Sequence, residues 1–94
     1  MTTLIITDVK YSTWKLGQDV ITAVIAGSES ENFYHFFTQV KEFCQCQMIL
    51  ESATAIYDQP EIGVKKGDFY FRMWSNLDHG LEAGDELVLF DSMG

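Results

Sequence analysis

Five short segments of this chain have the composition of β-strands, whereas only one has the periodicity of a helix. The strand-like segments are rich in Ile, Val, Thr and aromatic residues, and glycine or polar turn residues separate them. They read TTLIITDVKYS, DVITAVIAG, MILESATAIYD, DFYFRMWS and GDELVLFD. One helix among short strands predicts an α+β domain. We expect the helix to pack on a mostly antiparallel sheet of four to five strands, in the order β-β-α-β-β-β.

The chain has the length of a single domain. It contains 94 residues, and a domain usually has about 100–150. No internal repeat or linker divides it, so we predict one globular unit over 1–94. The segment KLGQD, which contains Gly17, should join the first two strands as a hairpin. The longest connecting loop should be YDQPEIGVKKGD, which contains the single proline, Pro60.

The helix-like segment begins after SESE. Ser28 is followed three residues later by Glu31, which is the pattern of a capping box ahead of an apolar run. We place residues 33–48 on a helix at about 100° per residue. The face that would pack on the sheet consists of Phe33, Phe36, Phe37, Val40, Phe43, Cys44 and Met48. The opposite side consists of His35, Thr38, Gln39, Glu42 and Cys46.

The cysteines are the candidate nucleophiles of the chain. On a helix, Cys44 and Cys46 would point about 200° apart and could not form a disulfide without distortion. Cys46 would share a face with His35, but their separation corresponds to about 16 Å of helix rise, too far for a hydrogen-bonded pair. His79 is then the only histidine left that could activate Cys46.

Asp78 and His79 are the remaining candidates for proton transfer or metal binding. A metal site normally needs three or four convergent ligands at recognisable spacing, and the sequence contains no HxH, HxxxH or CxxC motif. Glycine-rich nucleotide motifs and the GxSxG hydrolase motif are also absent. We therefore predict no catalytic residue, no metal and no cofactor. An enzyme that uses Asp78, His79 and Cys46 stays as the third hypothesis.

The chain is strongly acidic, with 14 acidic and 6 basic residues and a formal net charge of −8. Nucleic-acid binding needs Lys and Arg to displace counterions from phosphates, so we predict no direct binding of DNA or RNA. No basic residue follows Arg72, whereas five acidic residues do: Asp78, Glu82, Asp85, Glu86 and Asp91. Solubility alone could explain this acidity, and attraction to a basic partner is the more specific interpretation.

The sequence has no feature of a membrane or secreted protein. Its start, MTTLIITDVKYS, lacks the basic region and the long apolar core of a signal peptide. The longest apolar stretch, VITAVIAG, is far shorter than the roughly 20 residues that span a bilayer. We expect a cytoplasmic protein without membrane contact.

The strands contain more apolar positions than one helix can cover. Alternation along DFYFRMWS separates an apolar face from a mixed face that consists of Tyr70, Arg72 and Trp74. The segments DVITAVIAG and ELVLF are apolar on both faces, whereas a half-exposed antiparallel sheet would alternate. Either the sheet curls and closes over itself, or another chain covers its second face.

These observations predict a small, non-enzymatic protein-binding module. Inhibitors and immunity proteins have these properties, including phage-encoded antagonists of host defence and nucleic-acid mimics that block a basic or nucleic-acid-binding target. Tyr, Trp and Arg are enriched at interface hot spots. The partner-binding residues would be Tyr70, Arg72, Trp74, Asp78, Glu82, Asp85, Glu86 and Asp91. The alternative is a structural domain that forms a homodimer through its sheet face.

Overall fold

The computed structural model describes residues 2–13, 16–25, 33–75 and 78–90. These residues form one α-helix, one short 3-10 helix and a five-stranded antiparallel sheet, which confirms the predicted α+β class. The order along the chain is β1 (Thr2–Ser12), β2 (Gln18–Ile25), α1 (Phe33–Cys44), β3 (Ile49–Thr54), the 3-10 helix (Pro60–Ile62), β4 (Phe69–Ser75) and β5 (Glu86–Leu89). In the sheet the strand order is β3-β4-β2-β1-β5, which differs from the order along the chain.

The predicted hairpin of β1 and β2 is confirmed. Gly17, in the connection, has a φ of 76°, a left-handed conformation that glycine adopts without a steric penalty. The register shifts between Ile6 and Asp8, so β1 contains a bulge at Thr7. The Thr7 hydroxyl donates a hydrogen bond to the Thr22 carbonyl oxygen at 3.2 Å, which ties the bulge to β2.

The main core lies between α1 and one face of the sheet. Alternation in each strand sends every second side chain to this face, and these side chains pack against the buried side of the helix. The core includes Leu4, Ile6, Ile21, Ala23, Ile25, Phe36, Phe37, Val40, Phe69, Phe71 and Met73. Leu81, from the loop before β5, and Leu89, from β5 itself, complete it.

The predicted helix of residues 33–48 is too long, because α1 ends at Cys44. Gln45 has a φ of 55°, and this left-handed residue turns the chain out of the helical direction. Two predicted orientations are wrong, and the end of the helix accounts for that of Cys46. Phe43 is 63% exposed rather than buried, and Cys46 lies in the core instead of on the opposite side. The Ser28–Glu31 capping box and the side chain of Phe33 lie outside the described residues.

A side chain of α1 binds the chain directly after β5. The Gln39 amide donates to the Phe90 carbonyl oxygen at 2.6 Å, and its oxygen accepts the Phe90 N–H at 3.0 Å. These two hydrogen bonds take the place of those that the backbone of a neighbouring strand would make with Phe90. The helix therefore holds the end of this edge strand in place.

Residues 55–68, here called the lid, connect β3 to β4 and fold over the second face of the sheet. Backbone bonds between Ala55 and the pair Gly67 and Asp68 close its base. Gln59 and Val64 pair across its middle. At its tip, Gly63 lies so close to β1 that an added Cβ would be 3.5 Å from Thr7. The loop predicted as the longest connection is thus an ordered element.

The lid carries its own small core. Ala55, Ile62 and Val64 are buried against Val24 of β2, and Tyr70 of β4 packs on the same cluster. The second face is thus covered by the chain's own lid at its centre, rather than by the curling of the sheet. Among the described elements, no helix has both the length and the apolar character that crossing a membrane requires.

Candidate functional site

Tyr70, Arg72 and Trp74 share the second face of the sheet, as alternation predicts, and pair in register with Val24, Thr22 and Val20. The lid, which neither of the two expected forms of cover included, covers much of this face. The lid packs on Tyr70, and Trp74 is only 5% exposed. A partner could therefore reach little of the Trp74 side chain. The role of the three residues in partner binding stays a prediction.

Beside the lid, the second face contains a cavity of about 350 Å³, here called the lid cavity. Its apolar lining comes from three elements: Val20 of β2, Trp74 of β4 and Ile62 of the lid. The cavity therefore exists only because the lid folds back over the sheet and stops short of covering it completely.

The polar lining of the lid cavity is unusually basic for so acidic a chain. Lys10 and Arg72 line it, together with the hydroxyl-bearing residues Ser12 and Thr22 and the carboxylate of Glu51. Lys10 lies 3.5 Å from Asp8. Among the described residues the Arg72 guanidinium has no ion pair; it lies over the Tyr70 ring, 5.9 Å from the centroid. Glu51 stands opposite Arg72 in the register of β3 and β4.

Four of the five predicted acidic residues lie in the loop before β5 and at its start, and this segment is firmly held. Asp78 and Asp85 accept the backbone N–H groups of Gly80 and Glu82 at 3.1 and 2.9 Å, so these carboxylates stabilise turns. The backbone of residues 84–85 bonds to Ile6 of β1. Glu82 and Glu86 remain exposed. Asp91 lies outside the described residues.

An exposed apolar pair continues this acidic segment along β5. Glu86, Val88 and Phe90 alternate onto one side of the strand, and Val88 is 57% and Phe90 64% exposed. The lid does not cover this end of the second face, so the excess of apolar strand positions persists here. We call Asp78, Glu82, Glu86, Val88 and Phe90 the acidic edge.

His79 makes hydrogen bonds through both ring nitrogens. Nδ1 accepts the Leu81 N–H at 3.0 Å, so Nε2 carries the proton and points to an Asp19 carboxylate oxygen at 3.2 Å. The ring is almost fully buried. Because neither nitrogen has a lone pair left to accept a proton from a nucleophile, this histidine is placed as a structural link between β2 and the loop before β5.

Cys46 has a hydroxyl, not an imidazole, as its polar neighbour. Its Sγ lies 3.4 Å from the Ser75 Oγ in a buried setting. The pairing of Cys46 with His79 that an activated thiol would need is not present, since His79 is engaged with Asp19 and Leu81. Within the part of the chain that the structure describes, no three metal-ligating side chains come together.

Burial raises the pKa of the Cys44 thiol to about 11, and the neighbouring Cys46 adds to the rise. At pH 7 its thiolate fraction should be about 100-fold below that of a thiol with the ordinary value of 9.0. We therefore expect iodoacetamide to modify Cys44 about 100-fold more slowly than a free thiol, as followed by tandem mass spectrometry of the Cys44 peptide. Modification at the free-thiol rate would contradict this burial. The folding stability that the protonated thiol contributes is present below pH 9 and should be lost as the pH rises towards 11.

A comparison of the chain with protein-family models, curated proteins and solved structures finds no match.

Sequence reasoning missed two groups of residues, the charged lining of the lid cavity and the apolar residues of the lid. Lys10 and Glu51 reach the lid cavity only through the pairing of strands that are far apart in the chain, and pairing cannot be read from one sequence. A signal was available for the lid, because the predicted loop YDQPEIGVKKGD contains Ile62 and Val64, two apolar residues that a solvated loop would not need.

Proposed function

We propose that this protein is a small, non-enzymatic, cytoplasmic binding module that engages a basic protein partner through the acidic edge, in the manner of an inhibitor or immunity protein. The observation that carries the proposal is the unneutralised carboxylate of Glu86 on the same side of β5 as the exposed apolar pair Val88 and Phe90, with exposed Glu82 in the loop before that firmly held strand. An interface needs both elements, since charge guides the partner and apolar anchors supply most of the affinity.

The charge distribution supports a basic partner. Among the described residues, Lys10 and Asp8 form the one ion pair between a lysine or arginine and a carboxylate. The carboxylates of the acidic edge therefore keep their field, which raises the rate of encounter with a positively charged surface and weakens with salt. A target that normally binds nucleic acid presents such a surface, and the acidic edge would compete with phosphates for it.

The rigidity of the acidic edge also supports recognition. The side chains of Leu81 and His79 are buried, which anchors the loop before β5. The Gln39 side chain of α1 makes two hydrogen bonds to the backbone of Phe90. A surface that is already ordered loses less conformational entropy when it binds. His79 supports the non-enzymatic part of the proposal, since its two nitrogens are occupied.

The experiment is site-specific photo-crosslinking in the cells that produce the protein. We expect a benzophenone amino acid at position 90 to capture a basic protein, and the same probe at exposed Ile56 on the lid to capture none. The double substitution Glu82→Lys/Glu86→Lys should reduce the crosslink at least tenfold, because it reverses the field of the acidic edge.

The matched control places the same change of charge elsewhere. Glu51→Lys/Glu61→Lys alters two exposed carboxylates on β3 and the lid and should leave the crosslink nearly unchanged. Equal losses in the two double variants would mean that net charge alone matters, and the acidic edge would be rejected as a specific site. Capture from position 56 but not from position 90 would also reject it.

Self-association is the alternative function, and the open edge of the sheet at β3 favours it. In the described residues β3 pairs only with β4, so its outer backbone groups could pair with a second copy in an antiparallel dimer. The formal charge of −8 on each copy opposes this. We expect sedimentation to report a monomer, and a dimer that is disrupted by Ser52→Pro, which removes an outward-facing N–H of β3, would support the alternative instead.

A further inference from the structure

We propose that the lid cavity binds a small organic acid, with one carboxylate attached to an aromatic or aliphatic body. The inference is independent of the acidic edge and of any protein partner. The volume of the lid cavity, about 350 Å³, falls within the range of about 300–1,000 Å³ that is typical of small-molecule sites. The lid covers part of the second face and leaves beside it a cavity lined by side chains, as in small-molecule sites.

Arg72 is the group that would bind the carboxylate. Its guanidinium faces the cavity and has no ion pair among the described residues, although the chain contains 14 acidic residues. The guanidinium carbon lies 5.9 Å from the centroid of the Tyr70 ring, a contact that uses none of its N–H donors, and its planar fork matches a carboxylate in a two-bond arrangement.

The remaining charges select for a single negative charge on the ligand. Lys10 and Arg72 supply two positive charges, and Glu51 supplies one negative charge. Because Lys10 is already paired with Asp8, the positive charge left for a ligand is that of Arg72, which one carboxylate neutralises. A second carboxylate on the ligand would meet Glu51, so the site should prefer a monoanion over a dianion.

The apolar lining would hold the body of the ligand. Val20, Trp74 and Ile62 contribute an aliphatic side chain from the sheet, an indole and an aliphatic side chain from the lid. An aromatic ring placed against these side chains would bury apolar area. A carboxylate without such a body should therefore bind much more weakly.

Benzoate is the first probe, used with the full-length protein and followed by amide and indole chemical shifts in ¹H–¹⁵N spectra. We expect saturable shifts at Arg72, Trp74 and Ile62 with millimolar benzoate. Weaker shifts should be seen with phthalate, the dianion, with acetate, which lacks the ring, and with benzyl alcohol, which lacks the charge. Absence of saturable shifts with benzoate at these positions would overturn the proposal.

Two substitutions should change benzoate affinity in opposite directions. Arg72→Gln should weaken binding by about tenfold or more, because it removes a charge-assisted hydrogen bond. Glu51→Gln should strengthen binding by about two- to fivefold and should reduce the discrimination against phthalate. A gain in affinity cannot come from misfolding, so this second variant keeps the test valid if the first folds poorly.

Lys66→Gln is the control, since it removes an exposed positive charge from the lid away from the cavity lining. Its benzoate affinity should equal that of the unaltered protein. Equal weakening by Lys66→Gln and Arg72→Gln would show that benzoate senses only the overall charge of the protein, and the proposed site would be rejected.

Discussion

Replacing Phe71 with alanine should lower the free energy of unfolding by about 3–5 kcal/mol. Phe71 lies on β4, inside the sheet, and its side chain is fully buried against α1. Its truncation removes apolar contacts and leaves a cavity that the neighbouring Ile21 and Met73 cannot fill. Because small domains are stable by only about 5–15 kcal/mol, this loss is a large share of the total stability. Urea denaturation followed by circular dichroism measures the change.

Phe43 provides a control with the same chemical change. It lies in the last turn of α1 and is 63% exposed, so Phe43→Ala should cost less than about 1 kcal/mol. The pair also tests the burial pattern of α1, because regular helical spacing would place Phe43 on the same face as the buried Phe36 and Val40. Similar losses in the two variants would contradict the burial pattern described for α1.

Replacing Val64 with aspartate should detach the lid. Val64 is buried at the centre of the lid cluster, and an unpaired carboxylate there would cost several kcal/mol. Local opening is less costly than burial of the charge, so the lid should separate while the helix face stays folded. We expect a stability loss of about 3 kcal/mol and amide exchange at Gln59 and Val64 that is about 100-fold faster.

The fluorescence of Trp74 should report the opening of the lid. In a Trp14→Phe background, opening of the lid should expose the indole and shift its emission to longer wavelength. Ile56→Asp is the control, since it introduces the same carboxylate into the lid at a side chain that is 78% exposed. If Ile56→Asp has the same effect as Val64→Asp, the lid is not anchored by the cluster of Val24, Ile62, Val64 and Tyr70.

The regular elements could be predicted because local patterns determine them. Alternation in DFYFRMWS and DVITAVI assigned side chains to the correct faces, and the turn residues around Gly17 and Gly84 placed the strand ends. The end of α1 could not be predicted in this way. It depends on Gln45, a residue without the usual turn preference that adopts a left-handed conformation.

The lid could not be predicted because its order depends on contacts between distant residues. Asp58 and Asp68 accept the N–H groups of Lys66 and Lys65 at 2.8 and 2.9 Å, which shapes the loop locally. Its position over the sheet depends on the approach of Gly63 to Thr7, and the two residues are far apart in the chain. The strands do contain more apolar positions than one helix can cover. The lid covers part of them, and neither of the two explanations drawn from the sequence included it.

The acidic edge was predictable only in part. Its carboxylates follow from spacing, whereas the exposure of Val88 and Phe90 depends on how far the lid reaches across the sheet. For the lid cavity, no local pattern indicates that Lys10 and Arg72 converge, because the register of β1, β2 and β4 brings them together.

The bonds between Gln39 and Phe90 limit how copies of this protein could polymerise. An amide side chain already occupies the backbone of Phe90, and β5 itself has only four residues, so an incoming strand would find little to extend at that margin. Among the described residues, the β3 side is the edge that remains open for templated growth of the sheet. Pairing of two β3 edges about a two-fold axis would give a closed dimer. Neither β3 edge would then be free to add a third copy, so a filament could not form.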